Sequence, residues 1–232
     1  MDVLVIDVGG SAVTFRLSTA AEVRRFRSGA GLTPEQLVET VKQQTTDWHF
    51  DVIALGYPGT VADGKPIAEP GNLATGWVGY DFAAALERPV RIANDAVLHA
   101  LGAYRTGRML FLGLGTGVGS ALVSEHVLVP LELGCLPYRD ASLVDYLGRD
   151  ALETRGHDAW QAAVLDVIPA LRVALAADYV VLGGGNGRKI APLPAHIYRG
   201  GRHDAFDGGA RLWDEHVEPH AAEPRRVWRV VR

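Results

Sequence analysis

One pattern occurs twice in the chain, as VLVIDVGGSAVTFRL at residues 3–17 and as MLFLGLGTGVGSALVSEHVLV at residues 109–129. Each copy begins with a short apolar strand, passes through a cluster of glycines and resumes as a second strand or pair of strands. A strand–glycine turn–strand unit that restarts halfway along the chain favours two α/β halves over one continuous sheet. We therefore predict two domains, residues 1–106 and 107–232.

The segments between these two stretches alternate between helix and strand signals. Thr33, Pro34 and Gln36 form a helix start, with threonine as the N-cap, proline at the first helical position and glutamine completing a capping box. The other predicted elements are strands at 52–55, 90–93 and 179–182, helices at 81–87, 96–105, 142–155, 158–176 and 204–216, an irregular segment at 60–80, and a basic tail from 217. This order is that of an α/β protein.

Composition narrows the class of protein. The 232 residues are 48% hydrophobic and 22% charged, which is ordinary for a soluble globular chain, and length alone predicts one to two domains. The net charge of −4 argues against nucleic acid as the main partner. No apolar run approaches the roughly 20 residues of a membrane span, and no basic leader with a cleavage site is present, so we expect no membrane partner and a cytoplasmic location.

The single cysteine, Cys135, excludes an internal disulfide and a multi-thiolate zinc site supplied by one chain. We expect it to behave as a small buried hydrophobe rather than as a redox group. The histidines His196, His203, His216 and His220 are predicted to be surface or helix-end residues, since Pro219 interrupts any helix that would align the last two. The tail residues Trp228, Val230 and Val231 could pack on the core or on a second subunit, which leaves a homodimer open.

Four glycine clusters follow short apolar strands, and glycines at such places let backbone N–H groups approach an anion closely. Each cluster taken alone could equally close a hairpin. The common phosphate and hydrolase motifs are absent: there is no G-x-G-x-x-G, no G-x-S-x-G, and the near-match to a Walker A loop at 59–65 continues with Pro66 instead of a hydroxyl residue.

An ordered set of short motifs does match a known family. These motifs are Asp7-Val8-Gly9-Gly10-Ser11, Gly56-Tyr57-Pro58-Gly59, Asn72-Leu73 with Gly76-Trp77, Asn94-Asp95, Gly115-Thr116-Gly117-Val118-Gly119, Glu132-Leu133-Gly134 and Leu182-Gly183-Gly184-Gly185. Over residues 3–187 the chain resembles the ROK family of sugar kinases, closest to its polyphosphate-glucokinase-like members. The resemblance implies the actin/hexokinase-like (ribonuclease H-like) ATPase fold of two α/β domains with a cleft between them.

The same resemblance implies a reaction and a set of roles. The reaction is transfer of a phosphoryl group from ATP or polyphosphate to a sugar hydroxyl, most simply glucose to glucose 6-phosphate, with Mg²⁺ and without zinc. Asp95 would accept the hydroxyl proton, and Asp7 would hold magnesium. The sugar would contact Gly59, Asn72, Asn94, Asp95 and Glu132, and the phosphates or nucleotide would contact Gly9, Gly10, Ser11, Gly115, Thr116, Gly117, Gly183, Gly184 and Gly185.

From the residues alone, Asp95 can also be interpreted as an ordinary helix N-cap, and the asparagines as polar loop residues. The chain also departs from the family pattern. Ala12, Val13 and Thr14 stand where many members carry a lysine, unless an arginine such as Arg16 substitutes, and Cys135 stands where longer members carry a histidine. No helix-turn-helix precedes Asp7, which argues against the repressor branch.

Three functions therefore compete. The leading hypothesis is a magnesium-dependent sugar kinase, and the second is a catalytically weakened protein of the same fold that binds a sugar or nucleotide. The third is a kinase of this fold that acts on something other than a hexose. Asp95 favours an enzyme, because binding alone needs no proton acceptor.

Overall fold

A computed structural model describes residues 1–214 and 228–231. The strands are β1 (Val3–Val8), β2 (Ala12–Leu17), β3 (Arg24–Arg27), β4 (Val52–Tyr57), β5 (Val61–Ala62), β6 (Lys65–Pro66), β7 (Val90–Asn94), β8 (Arg108–Leu114), β9 (Val118–Ser124), β10 (Val127–Leu131), β11 (Pro137–Tyr138), β12 (Ala141–Ser142), β13 (Tyr179–Gly183), β14 (Ile197–Arg199) and β15 (Arg229–Val230). The helices are α1 (Pro34–Gln44), α2 (Phe82–Leu86), α3 (Asp95–Ala103), α4 (Val144–Leu147), α5 (Arg149–Arg155), α6 (His157–Ala174), α7 (Gly184–Gly187) and α8 (Asp204–Arg211), with a 3-10 turn at Leu133–Cys135.

Two mixed sheets share one topology. The first has the order β3-β2-β1-β4-β7, and the second has β10-β9-β8-β13-β14 with β15 added beside β10. In each sheet three antiparallel strands continue into two parallel ones. The repeat predicted at residues 3–17 and 109–129 is therefore confirmed as a repeat of the strand arrangement.

The sheets are buried on both faces, and this explains why β1 and β8 are apolar at nearly every position instead of at every second one. Alternate residues of β1 face different cores: Leu4, Ile6 and Val8 pack with α1 and α2, whereas Val3 and Val5 pack with α3 and α8. In the same way one face of β8 packs with α4–α6 and the other with α3. Helices α3 and α8 thus lie between the two sheets.

The pairing of α3 with α8 crosses the predicted division at residue 106. Helix α8 belongs to the second half of the sequence but contacts β1 and β4 of the first sheet. The indole Nε1 of Trp213, just beyond α8, donates to the carbonyl of Ile53 at 3.1 Å. Helix α3 contacts β8 and β9 of the second sheet. The domain boundary itself stays a prediction.

The predicted start of α1 is confirmed. Thr33 Oγ1 accepts from the N–H of Gln36 at 3.3 Å, and the Gln36 side chain accepts from the N–H of Thr33 at 3.1 Å. Seven strands of the described residues were not predicted: β3, β5, β6, β11, β12, β14 and β15. Five of these, β5, β6, β11, β12 and β15, have only two residues each, and β5 and β6 form a short hairpin within the segment predicted to be irregular. Three of the four residues of β3 are arginine, and β14 has only three residues, so neither carries an apolar alternation.

Two predicted helices and the predicted burial of Cys135 differ from the structure. The helix predicted at 142–155 is two helices, α4 and α5, divided at Gly148. The helix predicted at 204–216 is α8, which ends at Arg211, and residues 215–227, with His216, Pro219 and His220, lie outside the described residues. The expectation that Cys135 is buried is wrong, because its side chain is exposed at the end of the 3-10 turn.

The described part of the tail packs on this chain. Strand β15 pairs with β10, and the Trp228 ring lies 5.5 Å from that of Tyr104 and 5.0 Å from that of His126. Of the two alternatives for the tail, packing on the core is the one observed for these residues. Within the described ranges, the structure contains no helix with the length and apolarity needed to cross a bilayer.

Candidate active site

A cavity of about 360 Å³ lies where strands of both sheets end. Nine of the residues predicted from the sequence line it: Gly10, Gly59, Asn72, Asn94, Asp95, Gly115, Thr116, Gly117 and Glu132, together with Pro58, Gly119, Ser120 and Leu131. The first five come from the ends of β1, β4 and β7 and from the segment after β6, and the others come from the β8–β9 turn and the end of β10. Residues far apart in sequence therefore meet in one concave site.

Asp95 is the first residue of α3, and it is not the N-cap. Asn94 is the N-cap: its Oδ1 accepts from the N–H of Ala96 at 2.9 Å, while its Nδ2 donates to the carbonyl of Gly59 at 3.0 Å. The interpretation of Asp95 as a helix cap is wrong, because Asn94 already fills that role. Asp95 Oδ1 also accepts from the Ala96 N–H, at 2.8 Å, which fixes the carboxyl at the cavity wall.

Burial raises the pKa of Asp95 to about 6, and the negative charge of Asp7 acts in the same direction, against the opposing charge of His99. A carboxyl with this pKa is mostly ionised at pH 7 yet binds a proton readily. This is the range in which a general base is most effective at neutral pH. A carboxyl at this place, with this pKa, can accept a proton from a hydroxyl bound in the cavity.

Asn72 and Gly10 are in close contact across the cavity. A Cβ atom added at Gly10 would lie 2.0 Å from Nδ2 of Asn72, so only glycine leaves the amide in its place. The segment that carries Asn72 is held by Glu69, whose carboxylate accepts from the N–H groups of Trp77 at 3.0 Å and Val78 at 3.2 Å. Glu69 could not be identified from the sequence, because its partners are backbone groups eight and nine residues further on.

On the opposite wall, Ser120 positions Glu132. The Ser120 hydroxyl donates to the carbonyl of Leu131 at 2.8 Å and accepts from the N–H of Leu133 at 3.1 Å. The backbone is thus held on both sides of Glu132, whose side chain is exposed to the cavity. Ser120 follows the glycine cluster and was not singled out from the sequence, where its only sign is its polarity in an apolar strand.

Asp7, Gly9 and Ser11 do not line this cavity. The Asp7 Oδ2 atom lies 3.7 Å from Nε2 of His99, and the His99 ring stacks on Phe111 with centroids 6.0 Å apart. Burial lowers the pKa of His99, but contact with Asp7 and the charges of Asp95 and Asp204 outweigh it and leave the pKa raised. His99 was missed from the sequence, although it stands one helical turn after Asp95 and so on the same face of α3.

A second cavity, also of about 360 Å³, contains the predicted glycine cluster at residues 183–185. Its lining residues are His99, Gly183, Gly184, Gly185, Arg188, Gly200, Gly201, Arg202 and Asp204. Gly184 has φ +74°, and a Cβ there would lie 2.5 Å from the carbonyl oxygen of Leu114, so the turn requires glycine. Except for Gly9, the glycines predicted to bind phosphate are divided between the two cavities. His99 lines the second cavity and also lies beside Asp7.

Arg16 does not serve as a cation for either cavity. Its guanidinium forms an ion pair with Asp207 of α8 at 2.7 Å and lies over the ring of Phe206. Arg16 lines neither cavity. The suggestion that it replaces the lysine missing at positions 12–14 is not supported by its contacts.

The fit of a magnesium ion can be judged from the oxygen atoms present. Within residues 1–214 and 228–231 there is no group of three or more histidine, cysteine, aspartate or glutamate side chains arranged to hold a metal. Mg²⁺, however, keeps several waters and needs only one or two carboxylates beside substrate phosphates. The carboxylate of Asp7, at the end of β1 and close to the glycine turn, fits that requirement.

Comparison with known proteins identifies the family. The model of the ROK family matches residues 3–130, which is more than half of the chain. The chain belongs to the ROK family.

Two curated relatives of this ROK protein carry kinase names. A kanosamine kinase from Amycolatopsis mediterranei is 34% identical over 143 residues, which is 54% of this chain and 46% of that protein. A polyphosphate glucokinase from Mycobacterium leprae is 24% identical over 207 residues, which is 79% of this chain and 63% of that protein. The matched regions thus span less than two thirds of the length of these relatives.

Solved structures confirm the fold class. The ROK chain superposes on the inorganic polyphosphate/ATP-glucomannokinase from Arthrobacter sp. strain KM with a TM-score of 0.77 at 22% identity, covering 90% of this chain and 96% of that one. A ROK family glucokinase from Streptomyces griseus gives a TM-score of 0.70 at 14% identity, covering 91% and 99%. The α/β actin-like ATPase fold predicted from the sequence is confirmed.

Proposed function

We propose that this ROK protein is a kinase that transfers a phosphoryl group from ATP or polyphosphate to a hydroxyl of a hexose, with glucose to glucose 6-phosphate as the leading case. The observation that carries the proposal is the position of Asp95. Its carboxyl has a pKa of about 6 and lies at the wall of the first cavity, which Asn72 and the glycine-rich β8–β9 turn also line. The names of the relatives point to the same class of reaction.

In this mechanism Asp95 acts as the general base. A sugar hydroxyl is a weak nucleophile, so its proton passes to the Asp95 carboxylate as the oxygen bonds to phosphorus. The bond between that phosphorus and the bridging oxygen of the donor breaks, and the remaining donor leaves with its electron pair. Asp95 is restored when the proton passes to solvent after the product leaves.

The sugar would be held from both walls of the cavity. Asn72 offers an amide and Glu132 a carboxylate, which together can donate to and accept from vicinal hydroxyls. Asn94 is already bonded through both ends of its amide, so we assign it mainly to holding Gly59 and the start of α3 in place. This modifies the role that the family resemblance implies for Asn94.

The donor phosphates would bind at Gly10 and at Gly115–Gly117, with Gly183–Gly185 in the second cavity receiving the distal part of the donor. Backbone N–H groups in glycine turns suit phosphate oxygens. Asp7 would hold Mg²⁺ beside these phosphates. When bound, the ion neutralises charge on the transferred group.

The proposal is tested by a coupled phosphorylation assay of the purified chain over glucose, mannose, kanosamine and N-acetylmannosamine. Each sugar is offered with ATP and with inorganic polyphosphate, in the presence of Mg²⁺. We expect turnover of at least one hexose, highest with glucose. Saturable sugar binding without turnover by either donor would instead support the sugar-binding alternative.

The pH dependence of kcat/KM for the sugar should show one acid limb with an apparent pKa near 6. Asp95 accepts a proton only when ionised, so activity should fall about tenfold per pH unit below this value. The donor phosphate titrates in the same range, at about pH 6. The control is therefore the pH profile of the residual activity of Asp95→Asn. This profile should lack the decrease that is due to protonation of Asp95 and keep the decrease that is due to the donor phosphate. A wild-type profile that stays flat down to pH 5 would contradict the assignment.

Replacement of Asp7 by asparagine should raise the Mg²⁺ concentration for half-maximal activity by at least about tenfold, while the KM for the sugar changes little. Asparagine keeps the size of the side chain but loses the charge that a hard cation needs. The measurement is a Mg²⁺ titration at saturating sugar and donor. Full activity of the wild type in excess chelator would show that the assignment of Asp7 is wrong.

A further inference from the structure

Strand β3, the edge strand of the first sheet, runs beside the first glycine turn. It pairs with β2 so that Arg27 lies opposite Ala12 and Arg25 lies opposite Thr14. The residue after Arg27 is bonded to the turn itself: Ser28 Oγ donates to the carbonyl of Gly9 at 2.6 Å. Arg27 therefore stands next to the turn formed by residues 9–11.

The face on which Arg27 lies follows from its neighbours. The Phe26 ring contacts Phe15 in the outer core at 6.2 Å, and the guanidinium of Arg24 lies 4.0 Å from the Trp48 ring on that same side. Because side chains alternate along a strand, Arg25 and Arg27 lie on the opposite face. That is the face of Asp7, since Asp7 pairs with Thr14 and Thr14 pairs with Arg25 in one row across three strands.

These two arginines differ from the others nearby in their contacts. Arg16 is paired with Asp207, and Arg24 with Asp47. Arg25 and Arg27 are exposed, and the described part of the chain gives neither guanidinium a hydrogen bond or an ion pair. The residue paired with Arg27 is Ala12, whose side chain is a single methyl group.

We infer that Arg27 binds the donor phosphates that are not transferred, at the turn of residues 9–11. The inference rests on the proposed kinase function and adds a cation at the first glycine turn, where positions 12–14 carry no lysine. A guanidinium offers two parallel N–H groups to phosphate oxygens, a stronger and more directional contact than backbone N–H groups alone. An alternative role for these arginines is to prevent the edge strand from pairing with other chains, which charged residues on an edge strand do. That role would not depend on which position of the strand carries the arginine.

Two variants of equal charge separate these roles. Arg27→Gln removes the guanidinium beside the turn, and Arg25→Gln removes one from the same face of the same strand, about 7 Å further along. Binding of inorganic tripolyphosphate is measured by titration calorimetry with Mg²⁺ and without sugar, and the donor KM is measured with ATP and polyphosphate. We expect Arg27→Gln to weaken tripolyphosphate binding and raise the donor KM by at least about tenfold. Arg25→Gln should change both by less than about threefold, and glucose binding should be unchanged in both variants.

Four results would overturn the inference. Equal losses in both variants would show a general effect of charge, and unchanged binding in Arg27→Gln would leave only the edge-strand role. Failure of the wild type to bind tripolyphosphate would show that the chain has no such anion site. Loss of binding in Arg188→Gln alone would place the anion in the second cavity instead. The binding assay needs no turnover. If the chain phosphorylated no sugar, the proposed function would be contradicted, but tripolyphosphate binding would still test whether Arg27 binds phosphate.

Discussion

Replacement of Asp95 by asparagine is expected to lower kcat by at least about 10²-fold while the affinity for the sugar changes little, as for the loss of a general base. Asparagine has nearly the shape of aspartate but cannot take the hydroxyl proton. The helix start should remain intact, because its cap is Asn94 and the cap bond to Ala96 does not involve the substituted side chain. Loss of activity would then not be a consequence of unfolding.

The same substitution should stabilise the protein at pH 7.5. The pKa of Asp95 is about 6 in the folded chain and about 4 in the unfolded chain. Above pH 6 the ionised carboxyl therefore lowers the free energy of unfolding, and this loss of stability disappears as the pH falls from 6 to 4. Removing the charge should raise the free energy of unfolding by on the order of 1–2 kcal/mol at pH 7.5, and by almost nothing at pH 4.

Glu35→Gln is the matched control for Asp95→Asn, because Glu35 is the first-turn acid of α1, exposed and outside the cavities. Its kcat should be that of the wild type. Wild-type turnover in Asp95→Asn would remove Asp95 from the mechanism. Equal loss of activity and stability in that variant would show that the carboxyl is structural.

The second large effect is expected at Gly208, where α8 meets α3. A Cβ atom added at Gly208 would lie 1.9 Å from the backbone oxygen of Leu98 and 2.8 Å from the nitrogen of Gly102. These are backbone atoms of α3, so the two helices must separate to admit a methyl group. Alanine normally favours a helix over glycine by about 1 kcal/mol, but overpacking of this kind costs about 1–3 kcal/mol or more and should outweigh that gain.

Gly208→Ala should therefore lower the melting temperature and also reduce kcat, because α3 carries Asp95 at its first residue. The measurements are thermal unfolding and the coupled assay at a temperature at which the variant is folded. Gly31→Ala is the control, since no atom lies within 4 Å of its added Cβ and its backbone is not left-handed. If Gly208→Ala were as stable as the wild type, α3 and α8 would not be packed as closely as described.

Much of the fold was predictable because its signals are local. The apolar runs of β1 and β8 are read from neighbouring residues, and the capping box of α1 needs only Thr33, Pro34 and Gln36. Strand β3 could not be found in this way. Its arginines carry no apolar alternation, and what makes it a strand is hydrogen bonding to β2.

Sequence motifs alone predicted the family, the repeated strand arrangement and nine residues of the first cavity, because motifs at strand ends converge whenever parallel strands share an edge. The contacts of those residues could be seen only in the folded chain. In the folded chain Asn94 is the cap of α3, the Asp95 carboxyl lies at the cavity wall, His99 lies beside Asp7, and Arg27 lies beside the first glycine turn. The physical reason is that hydrogen-bond partners, burial and charge depend on groups distant in the chain. Local patterns predict which residues meet, but the roles follow only from what surrounds each one after folding.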